Sequence, residues 1–157
     1  MSESNKIQVN IGEIKLGKSP DILQATLGSC VGIAFVWKEK DKYGLAHCLL
    51  PKAPTISFEI TAKYVSCAIP SLLQLMKITP DDYSQIQSFV AGGANMIPQL
   101  AKSNPHHIGI QNSELAINML KNIGITIVKS EIGGVKGKLI KLSCFDGSVQ
   151  IMDLNSK

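Results

Sequence analysis

The sequence contains no arginine, and lysine supplies all 16 of its basic residues. Arginine is the usual side chain for two-pronged recognition of phosphates and of base edges. The net charge of +4 is therefore not typical of a protein that reads nucleic acid. We expect no nucleic-acid partner, and at most a general attraction to acidic protein surfaces.

Long hydrophobic runs are also missing. No window approaches the roughly 20 apolar residues of a membrane span, and the chain does not start with a basic segment followed by an apolar one. With 157 residues and 45% hydrophobic composition, the chain fits one globular domain over residues 1–157, with residues 1–5 flexible. We expect a cytoplasmic protein that does not insert into a membrane.

Paired cysteines are absent as well. The four cysteines show no C-x-x-C spacing, which favours reduced thiols over a disulfide frame or a zinc site. The adjacent His106 and His107 have no Cys, Asp or Glu at ligand spacing, so they are interpreted as loop residues. No metal is predicted.

Periodicity indicates a protein that mixes α and β structure. Two stretches with helical spacing are predicted to be helices, residues 57–78 and a second helix that starts with Asn112 as its cap and ends at Gly124. Apolar runs and alternating stretches predict eight strands, at 6–11, 22–27, 32–37, 43–50, 86–90, 125–129, 138–144 and 149–154.

A candidate nucleophile lies in the segment 26–32, where Cys30 stands between Gly28 and Gly32 in front of an apolar strand. Glycines allow backbone amides and a substrate to approach the sulfur closely. The alternative is a small buried cysteine at a strand start, which is common for free thiols. His47 lies in the next strand, so the two residues flank one hairpin.

The register of this hairpin is open. A turn centred between Lys38 and Glu39 puts Cys30 opposite His47, whereas a turn centred on Lys40 leaves them three residues out of step. If the side chains meet, a thiolate can attack a carbonyl while the imidazole manages the protons.

Main-chain amides are candidates for the oxyanion site, either around Gly28, Ser29 and Cys30 or in the turn at Gly92 and Gly93. The Asn95 amide and the Ser29 hydroxyl are candidate ligands of a substrate amide; their alternative roles are a turn residue and a local backbone bond. Strand alternation predicts that Cys48 points away from the His47 side.

Several motifs resemble those of the CheD family, the bacterial chemoreceptor glutamine deamidases. The matching strings, in order, are LGSCV at 27–31, GLAHCLLP at 44–51, KYV at 63–65, AGGANM at 91–96, Ile108-Gly109 with Asn112, and Gly133-Gly134. They cover nearly the whole chain, so together they are far more specific than one Cys–His pair.

The resemblance implies a layered α/β (α+β) fold, with a mixed and antiparallel β-sheet sandwich flanked by two main helices, similar to the deamidase domain of cytotoxic necrotizing toxins. It implies Cys30 as nucleophile and His47 as general base and acid, without a cofactor. The family's third catalytic residue, a threonine, has no clear match; Thr26 is the candidate, and Gln24 lies two residues before it.

The implied reaction converts glutamines of methyl-accepting chemoreceptors to glutamates by way of a thioester. The implied partners are the receptors' cytoplasmic domains and a CheC-type phosphatase of the response regulator. The alternative is a non-catalytic adaptor that keeps the fold and binds such a phosphatase or a receptor.

Overall fold

The computed structural model describes residues 5–96 and 107–154. Within them lie helices α1 (Val65–Leu75) and α2 (Ile108–Ile123) and short 3-10 turns at Lys38–Lys40 and Pro80–Gln85. The strands are β1 (Lys6–Gln8), β2 (Ile14–Gly17), β3 (Ile22–Leu27), β4 (Val31–Trp37), β5 (Lys42–Cys48), β6 (Gln87–Gly92), β7 (Thr126–Ile132), β8 (Lys138–Ser143) and β9 (Ser148–Asp153).

The strands form two sheets, one with the order β1-β3-β8-β9 and one with the order β2-β5-β4-β6-β7. The pairs β1–β3 and β6–β7 are parallel, and the other pairs are antiparallel. Both helices pack on the five-stranded sheet through one apolar cluster. The predicted sandwich of mixed sheets with two helices is confirmed.

Strand β4 is the centre of the molecule, because all seven of its residues are buried. Val31, Ile33 and Phe35 face the helices, whereas Ala34 and Val36 face the four-stranded sheet. This alternation follows from the pleat of a strand that is covered on both sides. It also means that Cys30, just before β4, lies on the side between the sheets.

The first helix is shorter than predicted, since it begins at Val65 rather than at residue 57. Residues 51–64 form a loop instead, which is closed at its base by hydrogen bonds from the Leu49 and Leu50 amides to the Lys63 carbonyl. Two apolar residues of this loop, Ile56 and Phe58, are exposed. An apolar residue in this stretch is therefore not by itself a sign of a buried helix face. Pro70 lies on the exposed side of the helix.

The second helix begins five residues earlier than predicted. Its N-cap is His107, whose Nδ1 accepts a hydrogen bond from the Ile110 amide, and Asn112 lies inside the helix. Asn112 is a good capping residue by type, but its side chain is used elsewhere in the structure. Gly124 ends the helix in the left-handed conformation, as predicted.

Strand β2 is missed by the sequence pattern because it is a four-residue edge strand, too short for a clear alternation. At the amino end, the Asn5 carbonyl accepts a hydrogen bond from the Ile22 amide. The rest of the tail predicted to be flexible lies outside the described residues, as does His106. No helix among the described residues has the length and apolar character needed to cross a bilayer.

Candidate active site

Cys30 lies in the short connection that carries the chain from β3 in one sheet to β4 in the other. Its side chain is 6% exposed and belongs to the apolar cluster between the sheets. The crossover places the thiol at one end of the sandwich, close to the surface. A nucleophile in this position is held by both sheets at once.

The β4–β5 hairpin pairs Gly32 with His47 and Val31 with Cys48. This register lies between the two predicted ones, because the connection consists of a 3-10 turn followed by Asp41 in the left-handed region. One step beyond the last pair, Cys30 comes level with Leu49. Cys30 is thus diagonal to His47, at roughly 7–8 Å between Cα atoms by strand geometry, which is within reach of a long side chain.

The two side chains share a face of the sheet. Along β5, Tyr43 and Leu45 point between the sheets, and alternation puts His47 on the same side as Cys30. Cys48 belongs to the cluster on the helix side, which confirms that it points away. Gly32, directly opposite His47, has no side chain; a Cβ there would lie 3.0 Å from Leu27 Cδ1.

His47 is 4% exposed, and its ring is held by the main chain. Its Nδ1 lies 2.9 Å from the Val9 carbonyl oxygen. A carbonyl can only accept, so Nδ1 carries the proton and the lone pair of the neutral ring is on Nε2. The His47 backbone is fixed too, since its amide donates to the Glu13 carbonyl and its carbonyl accepts from the Gly12 amide.

The described partner of the His47 ring is the Val9 carbonyl and not Thr26, the candidate third catalytic residue. Thr26 is exposed on the outer face of β3, and the neighbours that alternate with it, Ala25 and Leu27, are the ones that point inward. Gln24 also faces outward, where its side-chain Nε2 donates to the side-chain oxygen of Gln8. The structure does not bring either side chain to the imidazole. No sequence signal marks a carbonyl as a histidine partner, because every residue has one.

The Gly92–Gly93 turn holds the backbone of Cys30. The Gly93 amide donates to the Cys30 carbonyl at 2.8 Å, so it is not available to an oxyanion in this conformation. Gly92 has φ +105°, and a Cβ there would lie 2.2 Å from the Cys30 carbonyl oxygen. Only glycine fits at position 92. Gly93 thus supports the Cys30 backbone in this conformation, and the role of the two glycines as oxyanion donors stays a prediction.

The carbonyls of Gly28 and Ser29 also point into the protein. The first accepts from the Ala94 amide at 3.0 Å, and the second accepts from the Asn112 side chain at 3.0 Å. Peptide units are planar and trans, so each N–H points opposite to the carbonyl of its own unit. The N–H groups of Ser29 and Cys30 therefore point away from α2 and the glycine turn.

Asn95 is half-buried and lies at the rim of this arrangement. Its main-chain N–H donates to the Gly134 carbonyl. The glycine pair at 133–134 is therefore joined to the site, and the Gly133 amide donates to the Gly92 carbonyl. Met96 covers Gly28, where a Cβ would lie 3.5 Å from Met96 Cγ. The segments predicted to line the site thus meet at one end of the sandwich.

The electrostatics of the resting site favour a protonated thiol. Burial raises the pKa of Cys30 above its ordinary value of 9.0. Burial, with a smaller contribution from Cys30, raises the pKa of Cys48 further. For Cys30 to act as a nucleophile, a nearby base must take its proton, and Nε2 of His47 is the candidate. In the described part of the chain, no cluster of three or more His, Cys, Asp or Glu side chains could hold a metal ion.

Comparison with known proteins identifies the family of this chain. The family model described as CheD chemotactic sensory transduction matches residues 49–153. A Bdellovibrio bacteriovorus protein, named probable chemoreceptor glutamine deamidase CheD, is 38% identical over 146 residues, which are 93% of each chain. The chain belongs to the CheD family.

Other CheD proteins support the assignment over the same length. The probable chemoreceptor glutamine deamidase CheD 2 of a Ruegeria species is 30% identical, over 97% of this chain and 94% of its own. The CheD protein of Methanococcus vannielii, with the same probable function in its name, is 34% identical over 92% of this chain and 93% of its own. A crystal structure of a Neisseria meningitidis protein aligns with a TM-score of 0.46 at 10% identity, over 84% of this chain and 64% of that one.

Proposed function

We propose that this protein is a chemoreceptor glutamine deamidase in which Cys30 is the nucleophile and His47 is the general base and acid. The observation that carries the mechanism is the bond between His47 Nδ1 and the Val9 carbonyl, because it directs an unprotonated Nε2 to the face that Cys30 shares. The names of the CheD relatives supply the reaction and the substrate.

In the first half of the reaction, the Cys30 sulfur bonds to the carbonyl carbon of a glutamine side chain while its proton moves to His47 Nε2. The oxygen of the tetrahedral intermediate is negatively charged, and the N–H groups of Ser29 and Cys30 are the donors we assign to it. The C–N bond then breaks, the nitrogen takes the proton from Nε2, and ammonia leaves. A thioester to Cys30 remains.

In the second half, water attacks the thioester carbon and gives a proton to Nε2. The C–S bond breaks, the sulfur recovers the proton, and the side chain leaves as glutamate. The protein gains and loses no protons or electrons over the cycle, so the proposed reaction consumes only the glutamine side chain and one water. The Val9 carbonyl stabilises the imidazolium that forms in each half, as the third member of a triad does.

The family resemblance extends the proposal to a CheC-type phosphatase as partner and to the cytoplasm as location. Thr26 is not part of the mechanism that we propose, because it lies on the outer face of β3. Asn95 and the Ser29 hydroxyl remain proposed contacts of the substrate amide at the rim of the site.

The test is incubation with purified receptor cytoplasmic fragments, followed by mass spectrometry of the receptor glutamines. We expect conversion of amide to acid by the parent protein and by Cys144→Ala, and none by Cys30→Ala. Cys144 is the matched control, because it is also a buried thiol between the sheets. Binding of the fragment without conversion would show an adaptor instead of an enzyme.

A further inference from the structure

Asn112 makes the contact that joins the nucleophile loop to the histidine strand. Its side chain is completely buried in the first turns of α2. Its Nδ2 donates to the Ser29 carbonyl at 3.0 Å and to the Leu49 carbonyl at 3.1 Å. Ser29 precedes Cys30, and Leu49 follows His47 by two residues. One carboxamide therefore bridges the two chain segments that carry the reacting side chains.

The bridge lies where the β4–β5 ladder stops. The last pair of the ladder is Val31 with Cys48, and the Leu49 amide turns away to bind the Lys63 carbonyl. The other bonds to the carbonyls of residues 28–30 come from Gly93 and Ala94, on the β6 side. Among the described residues, Asn112 thus supplies a side-chain bridge between the Cys30 loop and the strand of His47.

The chemistry of the amide explains why this residue is asparagine. A primary amide has two N–H donors on one atom, and both are used by carbonyls. The reverse orientation of the amide would place an oxygen against two carbonyl oxygens. The side-chain Oδ1 is buried and has no partner in the structure. An unpaired buried acceptor is unfavourable for folding, so such positions call for a reason other than stability.

We propose that Asn112 is a positioning residue that fixes the Cys30 sulfur relative to His47 Nε2. The inference rests on the proposed Cys–His mechanism and deepens it. Loss of the bridge leaves the Cys30 loop joined to β5 through the Val31–Cys48 end of the ladder, without the direct tie from the Ser29 carbonyl to the Leu49 carbonyl. Proton transfer depends steeply on distance, and a misplacement of about 1 Å can cost about 100-fold in rate.

The experiment compares Asn112→Leu, which is similar in size and has no donors, with Asn112→Ser, which is smaller and retains one. Ser88→Ala is the matched control, because the Ser88 hydroxyl is buried and donates to the Thr126 carbonyl between β6 and β7, away from Cys30. All three variants remove a buried bond from a side chain to a main-chain carbonyl. Thermal unfolding of each variant reports the loss of stability.

Two readouts separate positioning from stability. The first is kcat and KM on receptor fragments, where we expect kcat to fall about 10-fold or more in Asn112→Leu and less in Asn112→Ser, with KM within about twofold. The second is alkylation of Cys30 by iodoacetamide as a function of pH. Trypsin releases Cys30 in the peptide 19–38, which contains no other cysteine. We expect slower alkylation near neutral pH in both Asn112 variants and an unchanged profile in Ser88→Ala.

The alkylation profile needs no receptor, so it tests the inference even if the parent protein converts no glutamine. A shifted profile in the Asn112 variants with inactive parent protein would overturn the proposed function and support the positioning role. An active parent whose Asn112 variants keep its kcat and its alkylation profile would overturn the positioning role alone. If Ser88→Ala, at equal loss of stability, shifts the profile as much, stability explains the effect and the inference fails.

Discussion

Two buried thiols lie at opposite ends of the cluster between the sheets, and their surroundings differ in charge. Cys30 follows the end of β3, whereas Cys144 lies beside its start and donates its amide to the Asp21 carbonyl. Burial, Asp21 and Asp41 raise the pKa of Cys144 to about 12. Cys30 is also buried but shares its face with an imidazole, His47. Burial is common to both thiols, so the neighbouring groups are what distinguishes them.

Removal of the His47 imidazole should make Cys30 as unreactive as we expect Cys144 to be. We expect His47→Ala to lower the deamidation rate by roughly 10²–10⁴-fold, because the buried thiol loses its base. Cys30 alkylation at neutral pH should fall with it. His107→Ala is the control, since that imidazole caps α2 instead. An active His47→Ala variant would show that Cys30 does not depend on this histidine.

A methyl group at position 92 should displace the nucleophile. Gly92 and Gly124 both have positive φ, but a Cβ at 92 meets the Cys30 carbonyl oxygen at 2.2 Å and a Cβ at 124 meets nothing within 4 Å. We expect Gly124→Ala to cost about 1–2 kcal/mol in unfolding free energy. Gly92→Ala should cost about 1–3 kcal/mol more and reduce activity strongly.

Urea unfolding and the deamidation rate measure the two effects of the glycine variants. Equal stability and equal activity of the two variants would mean that the Cys30 carbonyl can move without consequence, against the role given to the glycine turn.

The raised pKa of Cys144 should make the folded protein less stable at alkaline pH. The unfolded thiol ionises near pH 9, whereas the folded thiol stays protonated until about pH 12. The unfolded state therefore binds fewer protons between these values, and the free energy of unfolding falls as pH rises. We expect Cys144→Ala to make this fall less steep and to leave activity near that of the parent. An unchanged slope in urea unfolding from pH 8 to 11 would contradict the assignment.

The smallest effect is expected at Thr26. Its side chain is exposed on the outer face of β3, so Thr26→Ala should change kcat/KM by no more than about twofold. A loss of tenfold or more would put the threonine in the triad and would contradict the role of the Val9 carbonyl. Nitrogen NMR of the His47 ring gives a second check, since the proton should be on Nδ1 in both proteins.

The elements that could be predicted are those encoded in nearby residues. Cys30 between two glycines and His47 in the returning strand are local patterns, and the hairpin that joins them follows from the turn between two apolar runs. The start of α2 is different. Asn112 looks like a cap, but its amide is used by Ser29 and Leu49, which are distant in sequence. No local pattern can show a contact that forms only when the helix packs.

By itself, the sequence determined the residue types of the site and, through its motifs, the family. Only the tertiary structure decided how those residues are used. The hairpin register depends on how a four-residue connection closes, and the histidine partner depends on where the chain at Val9 passes β5. The outward direction of Thr26 depends on which face of β3 is covered. Each of these is settled by packing between distant segments, because backbone groups are alike in sequence and differ only in where folding places them.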